Sequence, residues 1–180
     1  MTATRAMRAA AALAAAVACG GPEPAEPDAA PPVADLAIGT ARADGTGFVD
    51  VAPGGDVALV PGSQGGFHVW VNVRVRGAAG PLVLWRSARR ASDGALVLAA
   101  SRTAVDVPAA AMETWWEPAA AAPSFLCPAP VGIDIDGEPL EFSVELATGD
   151  GDVLGTAAAV WVPRCPDGDL AALCADICSG

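Results

Sequence analysis

The sequence predicts an all-β fold, a sandwich of two sheets, on the evidence of its alternation and its turns. From Val33 to Pro163, short runs in which apolar and polar residues alternate are separated by segments rich in Gly, Pro and Asp. The runs recur at roughly 8–12 residues, a spacing typical of sandwiches and barrels. Asp136–Pro139 and Gly149–Gly151 have the composition of tight turns. We therefore predict one β domain over residues 33–163.

The predicted strands follow the alternating runs. Their bounds are Val33–Ile38, Phe48–Val51, Val57–Val60, Phe67–Arg76, Leu82–Arg89, Ala95–Ser101, Met112–Trp116, Val131–Ile135, Leu140–Ala147 and Val153–Val162. The proline-rich segment 118–130 is predicted to be a loop. We expect an immunoglobulin-like or related β-sandwich, and the sequence leaves its strand order open.

The strand Phe67–Arg76 indicates which side faces the core. Its odd-numbered residues, from Phe67 to Val75, are all apolar, whereas its even-numbered residues are His68, Trp70, Asn72, Arg74 and Arg76. Successive side chains of a strand point to opposite faces. We therefore expect one buried face and one amphipathic outer face, with His68 facing outward or lying at a sheet edge, packed on Trp70 or an arginine.

Residues 164–180 are predicted to form a Cys-rich tail with a short helix. Asp167 or Asp169 is suited to begin this helix, which should run to Ile177. A helix of this length is not stable by itself in water, so it needs covalent support.

Four cysteines are expected to provide that support: Cys127, Cys165, Cys174 and Cys178. An even number in an exported chain indicates two disulfides. A bridge between Cys174 and Cys178 would strain a regular helix, so each should pair outward, to Cys127 and Cys165 in an order left open. The rival interpretation, a four-cysteine metal site, lacks the paired C-x-x-C spacing of such sites.

The N-terminal segment, residues 1–18, is predicted to be a signal peptide. Two arginines and no acidic residue precede the apolar run AAALAAAVA, which is too short to span a membrane. Ala16-Val17-Ala18-Cys19 resembles the bacterial lipobox. The resemblance implies that Cys19 becomes the lipidated first residue of a mature lipoprotein, and Gly20 after it implies the outer membrane or cell envelope.

Residues 19–32 are predicted to be a tether. After Cys19 the segment GGPEPAEPDAAPP is rich in Gly, Pro and acidic residues. Such a composition cannot bury apolar surface and is expected to be extended or disordered. It would hold the folded domain clear of the lipid.

The charge excludes one class of partner. Formal net charge is −11, and it becomes −13 once residues 1–18 are removed. An acidic chain with scattered arginines repels phosphate backbones, so we expect no nucleic-acid partner.

His68 and Trp70 are the candidate ligand-binding residues. His68 is the chain's one histidine, and Ser63 in the turn PGSQGG lacks the strand-to-helix setting of a hydrolase nucleophile. Catalysis is therefore not expected. The five tryptophans are further candidates, because an exposed indole binds sugars or proteins through a rigid apolar surface.

Two acidic runs are candidates for calcium, although no cofactor is required by the sequence. They contain Asp134, Asp136 and Glu138 in the first and Asp150 and Asp152 in the second. Loops between sandwich strands commonly supply the oxygen ligands that calcium needs, but neither run has EF-hand spacing.

The sequence thus favours an exported, membrane-anchored lipoprotein with a non-enzymatic binding, adhesion or structural role. Its partners are the membrane, through the N-terminal lipid, and an envelope protein or glycan. The alternative is an envelope binding protein for a metal ion or a carbohydrate, with a hydrolase third.

Overall fold

A computed structural model describes residues 33–63 and 65–180, which form nine strands and one α-helix. The strands are β1 (Asp35–Gly39), β2 (Asp56–Ala58), β3 (Val60–Pro61), β4 (Phe67–Arg76), β5 (Gly80–Arg90), β6 (Leu96–Val107), β7 (Ala122–Cys127), β8 (Leu140–Thr148) and β9 (Val153–Arg164). Helix α1 spans Ala171–Ile177, and 3₁₀ turns lie at Ala109–Met112 and Gly168–Leu170. The predicted signal peptide, Cys19 and the tether lie outside the described residues.

The strands form two sheets. The larger has five strands in the order β2-β9-β8-β5-β6, in which the β2–β9 pair is parallel and the others are antiparallel. The smaller is built on β4, which pairs antiparallel with β1, β3 and β7. β3 and β7 both pair with Phe67 and His68, so they flank β4 on opposite sides. The predicted sandwich-like arrangement of two sheets is confirmed.

The core lies between the sheets and follows the predicted alternation. All five odd-numbered side chains of β4, from Phe67 to Val75, are buried. β8 buries its four large apolar residues, Leu140, Phe142, Val144 and Leu146. Trp161 of β9 packs on Phe142 with ring centroids 5.1 Å apart. Each fully buried side chain of this size contributes roughly 1.5–3 kcal/mol to folding, so these strands hold the sheets together.

Three predicted strands are wrong. Phe48–Val51 lies in a loop, Val131–Ile135 is a turn followed by irregular chain, and Met112–Trp116 makes one isolated bridge, from Trp116 to Val75. Some of their apolar residues pack on the core, as Ile135 and Trp116 do, whereas others, such as Val131, are exposed. A strand needs a continuous ladder of backbone hydrogen bonds as well as an alternating pattern, and in the described part of the chain these segments form only isolated bridges, Val49 to Thr40 and Trp116 to Val75.

The segment predicted to be a proline-rich loop contains β7. Pro123 is tolerated there because proline is accepted on an edge strand. The predicted strand Val57–Val60 divides between the sheets, because Asp56–Ala58 pairs with β9 and Val60–Pro61 pairs with β4. A single apolar run therefore crosses from one sheet to the other.

Residues 40–50, called here the covering loop, lie on the outer face of β4. Trp70 donates from Nε1 to the carbonyl of Ala43 at 3.3 Å, and Asn72 donates from Nδ2 to the carbonyl of Gly47 at 2.7 Å. The guanidinium of Arg74 lies 4.2 Å from the ring centroid of Phe48. The polar face of β4 thus binds the covering loop. The alternation of residues in β4 does not predict this contact.

Gly45 shows how closely the covering loop approaches the indole of Trp70. It adopts φ of +80°, and a Cβ at this position would lie 3.0 Å from the indole of Trp70. Only glycine combines that left-handed backbone with that contact without strain.

His68 lies on this face, but it is buried rather than exposed. Its side chain is 4% accessible, and its ring packs edge-on against Trp70 at 4.4 Å and against Phe125 at 5.2 Å. The expected packing on Trp70 is present, and the expected outward position is corrected: flanking rings cover the imidazole. Within residues 33–63 and 65–180, neither ring nitrogen has a hydrogen-bond partner.

Arg86 interrupts the apolar inner face of β5. It is 5% accessible and donates to the carbonyl of Pro123 and to Ser124 Oγ, both at 3.0 Å, and to Thr103 Oγ1 at 2.9 Å. In the described part of the chain it has no acidic partner, and burial lowers its pKa. The guanidinium therefore bonds β7 of the smaller sheet to β5 and β6 of the larger sheet through neutral acceptors.

The C-terminal tail is stapled by two disulfides, as predicted, and the structure assigns their order. Cys127 at the end of β7 bonds Cys178, and Cys165, directly after β9, bonds Cys174. Each helix cysteine pairs outward, and both are buried. The rival metal site does not fit this arrangement, because the four sulfurs are consumed in bridges.

Loss of the Cys127–Cys178 bridge is expected to destabilise the protein more than loss of Cys165–Cys174. The first spans 51 residues of sequence and the second 9. Loop-closure entropy gives losses of about 4 and about 3 kcal/mol for the respective Cys→Ser pairs. Urea unfolding of both double variants measures the difference, and a larger loss for the shorter loop would contradict the assignment.

Stability is expected to fall as the pH drops below 6.5, the ordinary pKa of histidine, because burial lowers the pKa of His68 in the folded state. Above that pH the ring is neutral in both states. Below it the unfolded chain binds a proton that the folded chain resists, so stability declines until the folded-state pKa is reached. Urea unfolding at a series of pH values measures this decline.

His68→Leu is the matched variant, because its side chain is neutral throughout. Its stability should be nearly flat across the same pH range, whatever its absolute value. An equal decline in the variant would assign the pH dependence to carboxylates instead.

Candidate functional site

The predicted ligand-binding pair, His68 and Trp70, lies beside the covering loop. Trp70 is half-buried and forms one wall of a depression of about 380 Å³ that also contains Asp50 and Asp56. Asp56 pairs with Arg164 at 3.0 Å and Asp50 with Arg74 at 3.6 Å. The charges there already have partners within the protein, and ligand binding by His68 and Trp70 stays a prediction.

The acidic runs lie at opposite ends of β8. Asp134, Asp136 and Glu138 precede its first residue, whereas Asp150 and Asp152 follow its last. A strand of 9 residues is about 30 Å long, so the two runs cannot form one site.

The first acidic run contacts the C-terminal tail. Asp134 accepts a hydrogen bond from the backbone N–H of Gly180 at 3.2 Å, and Asp136 accepts one from Cys165 at 2.9 Å. These carboxylates therefore help to hold the tail in place.

A larger depression, of about 580 Å³, lies on the outer face of the five-stranded sheet. Its volume falls in the range typical of small-ligand sites. Three consecutive residues from each of three adjacent strands line it, together with Ala100 of β6: Trp85, Arg86 and Ser87 of β5; Ser143, Val144 and Glu145 of β8; and Thr156, Ala157 and Ala158 of β9.

Strand register explains the shape of this depression. Trp85 lies opposite Glu145, which lies opposite Thr156, and these outward side chains form one row. Two residues further along, about 7 Å away, Ser87, Ser143 and Ala158 form a second outward row. The small side chains of the second row leave open space beside the indole of Trp85.

An irregularity of β6 lies at one edge of the depression. Arg86 pairs with Ser101 and Ala88 pairs with Leu98, so Ser87 faces two residues of β6, Ala99 and Ala100. Such a bulge bends the strand and is common beside binding sites. The bulge brings Ala100, a small residue, to the lining.

The ionisable groups around Trp85 have opposite signs. On the β6 side its register partner is Arg102, and on the β8 side it is Glu145. Among the described residues, neither group forms an ion pair or a side-chain hydrogen bond within the protein. The half-buried indole therefore lies between an unpaired cation and an unpaired anion.

This depression was missed by the sequence reasoning, although Trp85 was among the candidate tryptophans. A usable signal is present in LVLWRSARR, where alternation places Trp85 and Ser87 on the face opposite Leu84. The position of Ser143 and Glu145 beside Trp85 and Ser87 could not be predicted, because it depends on the pairing of β5 with β8.

No protein-family model matches this chain, and no curated protein sequence matches it either.

Proposed function

We propose that this protein is an exported, non-enzymatic binding protein whose five-stranded sheet binds a saccharide at the depression around Trp85. The observation that carries the proposal is a half-buried indole bordered by small residues, hydroxyl groups and the carboxylate of Glu145, which has no ion-pair partner among the described residues. The opposite outer face, on β4, is occupied by the covering loop, which favours the larger sheet as the binding face.

The chemistry of the lining suits a sugar. An indole offers a rigid apolar surface for the C–H face of a pyranose ring, at a low cost in conformational entropy. Ser87, Ser143 and Thr156 can exchange hydrogen bonds with sugar hydroxyls, and Glu145 can accept them. A few convergent polar groups around an apolar platform are typical of small-ligand sites.

A metal ion is a weaker candidate ligand. In the described part of the chain, the one close group of three metal-binding side chains is Cys165, Cys174 and Cys178, and these sulfurs are in disulfides. The carbohydrate form of the alternative therefore has the better support.

Export and anchoring belong to the same proposal. Two disulfides are expected of a protein that matures in an oxidising compartment. We propose that Cys19 is lipidated and that residues 20–32 hold the domain away from a membrane of the cell envelope. Within the described residues, no helix is long and apolar enough to cross a membrane.

We also propose an immunoglobulin-like or related topology for the sandwich. Support comes from two largely antiparallel sheets and from an early run that crosses between them, since β2 joins the larger sheet and β3 the smaller.

Trp85→Ala is expected to weaken saccharide binding by about 30-fold, because truncation of an anchoring aromatic commonly costs about 2 kcal/mol. Isothermal titration against a panel of neutral, amino and acidic oligosaccharides measures the change. Trp115→Ala is the matched control, since Trp115 is 46% exposed and lies against Arg76 rather than in the depression. Equal losses in both variants, or no binding by the wild-type protein, would refute the proposal.

Replacement of Cys19 tests the anchor. The wild-type precursor, expressed in a Gram-negative host, should incorporate labelled palmitate and partition with membranes, and Cys19→Ser should do neither. A soluble wild-type protein without label would remove the lipid from the proposal while leaving the sugar site untouched.

A further inference from the structure

The carboxylate of Glu145 is half-buried in the depression and differs from the acidic groups that pair with an arginine. Asp35, Asp56 and Glu117 each pair with an arginine at 3.0 Å or less, whereas Glu145 pairs with none among the described residues. It is also half-buried, because it lies in the row between Trp85 and Thr156. A partly desolvated carboxylate without a partner gains most from a ligand that carries positive charge.

Arg102, the nearest arginine in the same row of the strand register, does not neutralise the carboxylate of Glu145. Arg102 lies two strands from Glu145, with β5 and Trp85 between them, a separation of about 10 Å. Arg102 and Glu145 form no ion pair within the described residues, and the exposed guanidinium of Arg102 is screened by salt at that distance.

The net negative charge of the chain also favours a positively charged ligand. With a net charge of −11, the protein attracts cations and repels anions. An acidic sugar in this depression would bring a second carboxylate toward Glu145, and like charges repel. A neutral sugar would leave the carboxylate with hydroxyl donors alone.

We infer that the saccharide recognised here bears a free amino group, whose ammonium binds the carboxylate of Glu145 while the ring packs on Trp85. The inference rests on the proposed saccharide function. A charge-assisted N–H···O bond beside the aromatic platform fixes which edge of the sugar faces β8. Amino sugars whose nitrogen is acetylated lack the charge and bind less tightly.

Three tetrasaccharides with the same linkage test this inference: glucosamine, N-acetylglucosamine and glucose. Isothermal titration in about 0.15 M salt screens the net charge beyond roughly 8 Å and so isolates the local contact. The wild-type protein should bind the glucosamine form at least about tenfold more tightly than the other two, because hydrogen bonds to charged groups are the stronger ones. The preference should decrease as the pH is raised until the amine is neutral.

Glu145→Gln should abolish this preference, because the amide carries no charge, and the largest loss of affinity should be for the glucosamine form. Glu141→Gln is the matched control, since Glu141 is exposed on the same face of β8, four residues away, and changes the net charge equally. It should keep the preference.

The outcomes separate the inference from the function on which it rests. If none of a broad panel of saccharides binds, the proposed function fails. If sugars bind in a manner dependent on Trp85 but without preference for the amine, the function stands and the inference is overturned. A preference that survives in Glu145→Gln, or that disappears equally in Glu141→Gln, also overturns it.

Discussion

The strand β4 constrains the rest of this structure through the two faces of its backbone. Its odd-numbered side chains, from Phe67 to Val75, fill the centre of the core and hold the sheets together. Its even-numbered side chains bind the covering loop, with Trp70 and Asn72 donating to loop carbonyls. One strand thus joins the core to the outer loop, and a shift of register by one residue would destroy both sets of contacts.

This arrangement also determines which outer faces of the sheets are covered by other parts of the described chain. The covering loop occupies much of the outer face of the smaller sheet, and the disulfide-linked tail is fixed at the ends of β7 and β9. Among residues 33–63 and 65–180, no loop of this kind covers Trp85, whose half-buried indole lines the depression on the larger sheet. Arg86 lies beneath the outer face of the larger sheet. It joins the two sheets by donating hydrogen bonds to neutral oxygens rather than to a carboxylate.

Several features could be predicted because they depend on local pattern. The bounds of β4 and the inner faces of β4 and β8 follow from strict alternation, and the outward pairing of Cys174 and Cys178 follows from their spacing on one short helix. Prediction failed where burial did not imply pairing, as at Val131–Ile135, in which Ile133 and Ile135 are buried outside any strand. It also failed where an edge strand contained proline, as in β7, since proline usually marks loops.

The sequence by itself determined the β class, the buried faces of β4 and β8 and the outward pairing of Cys174 and Cys178, because each depends on the types of residue and their spacing along the chain. The order of the two disulfides came from the structure. Only the tertiary structure decided that His68 is buried, that the acidic runs lie at opposite ends of β8 and that Trp85 is bordered by Glu145 and Ser143. The physical reason is that a binding surface on a sheet is assembled across strands. The residues that meet on such a surface are determined by strand order and register. These depend on contacts between distant parts of the chain, so the local sequence pattern does not predict them.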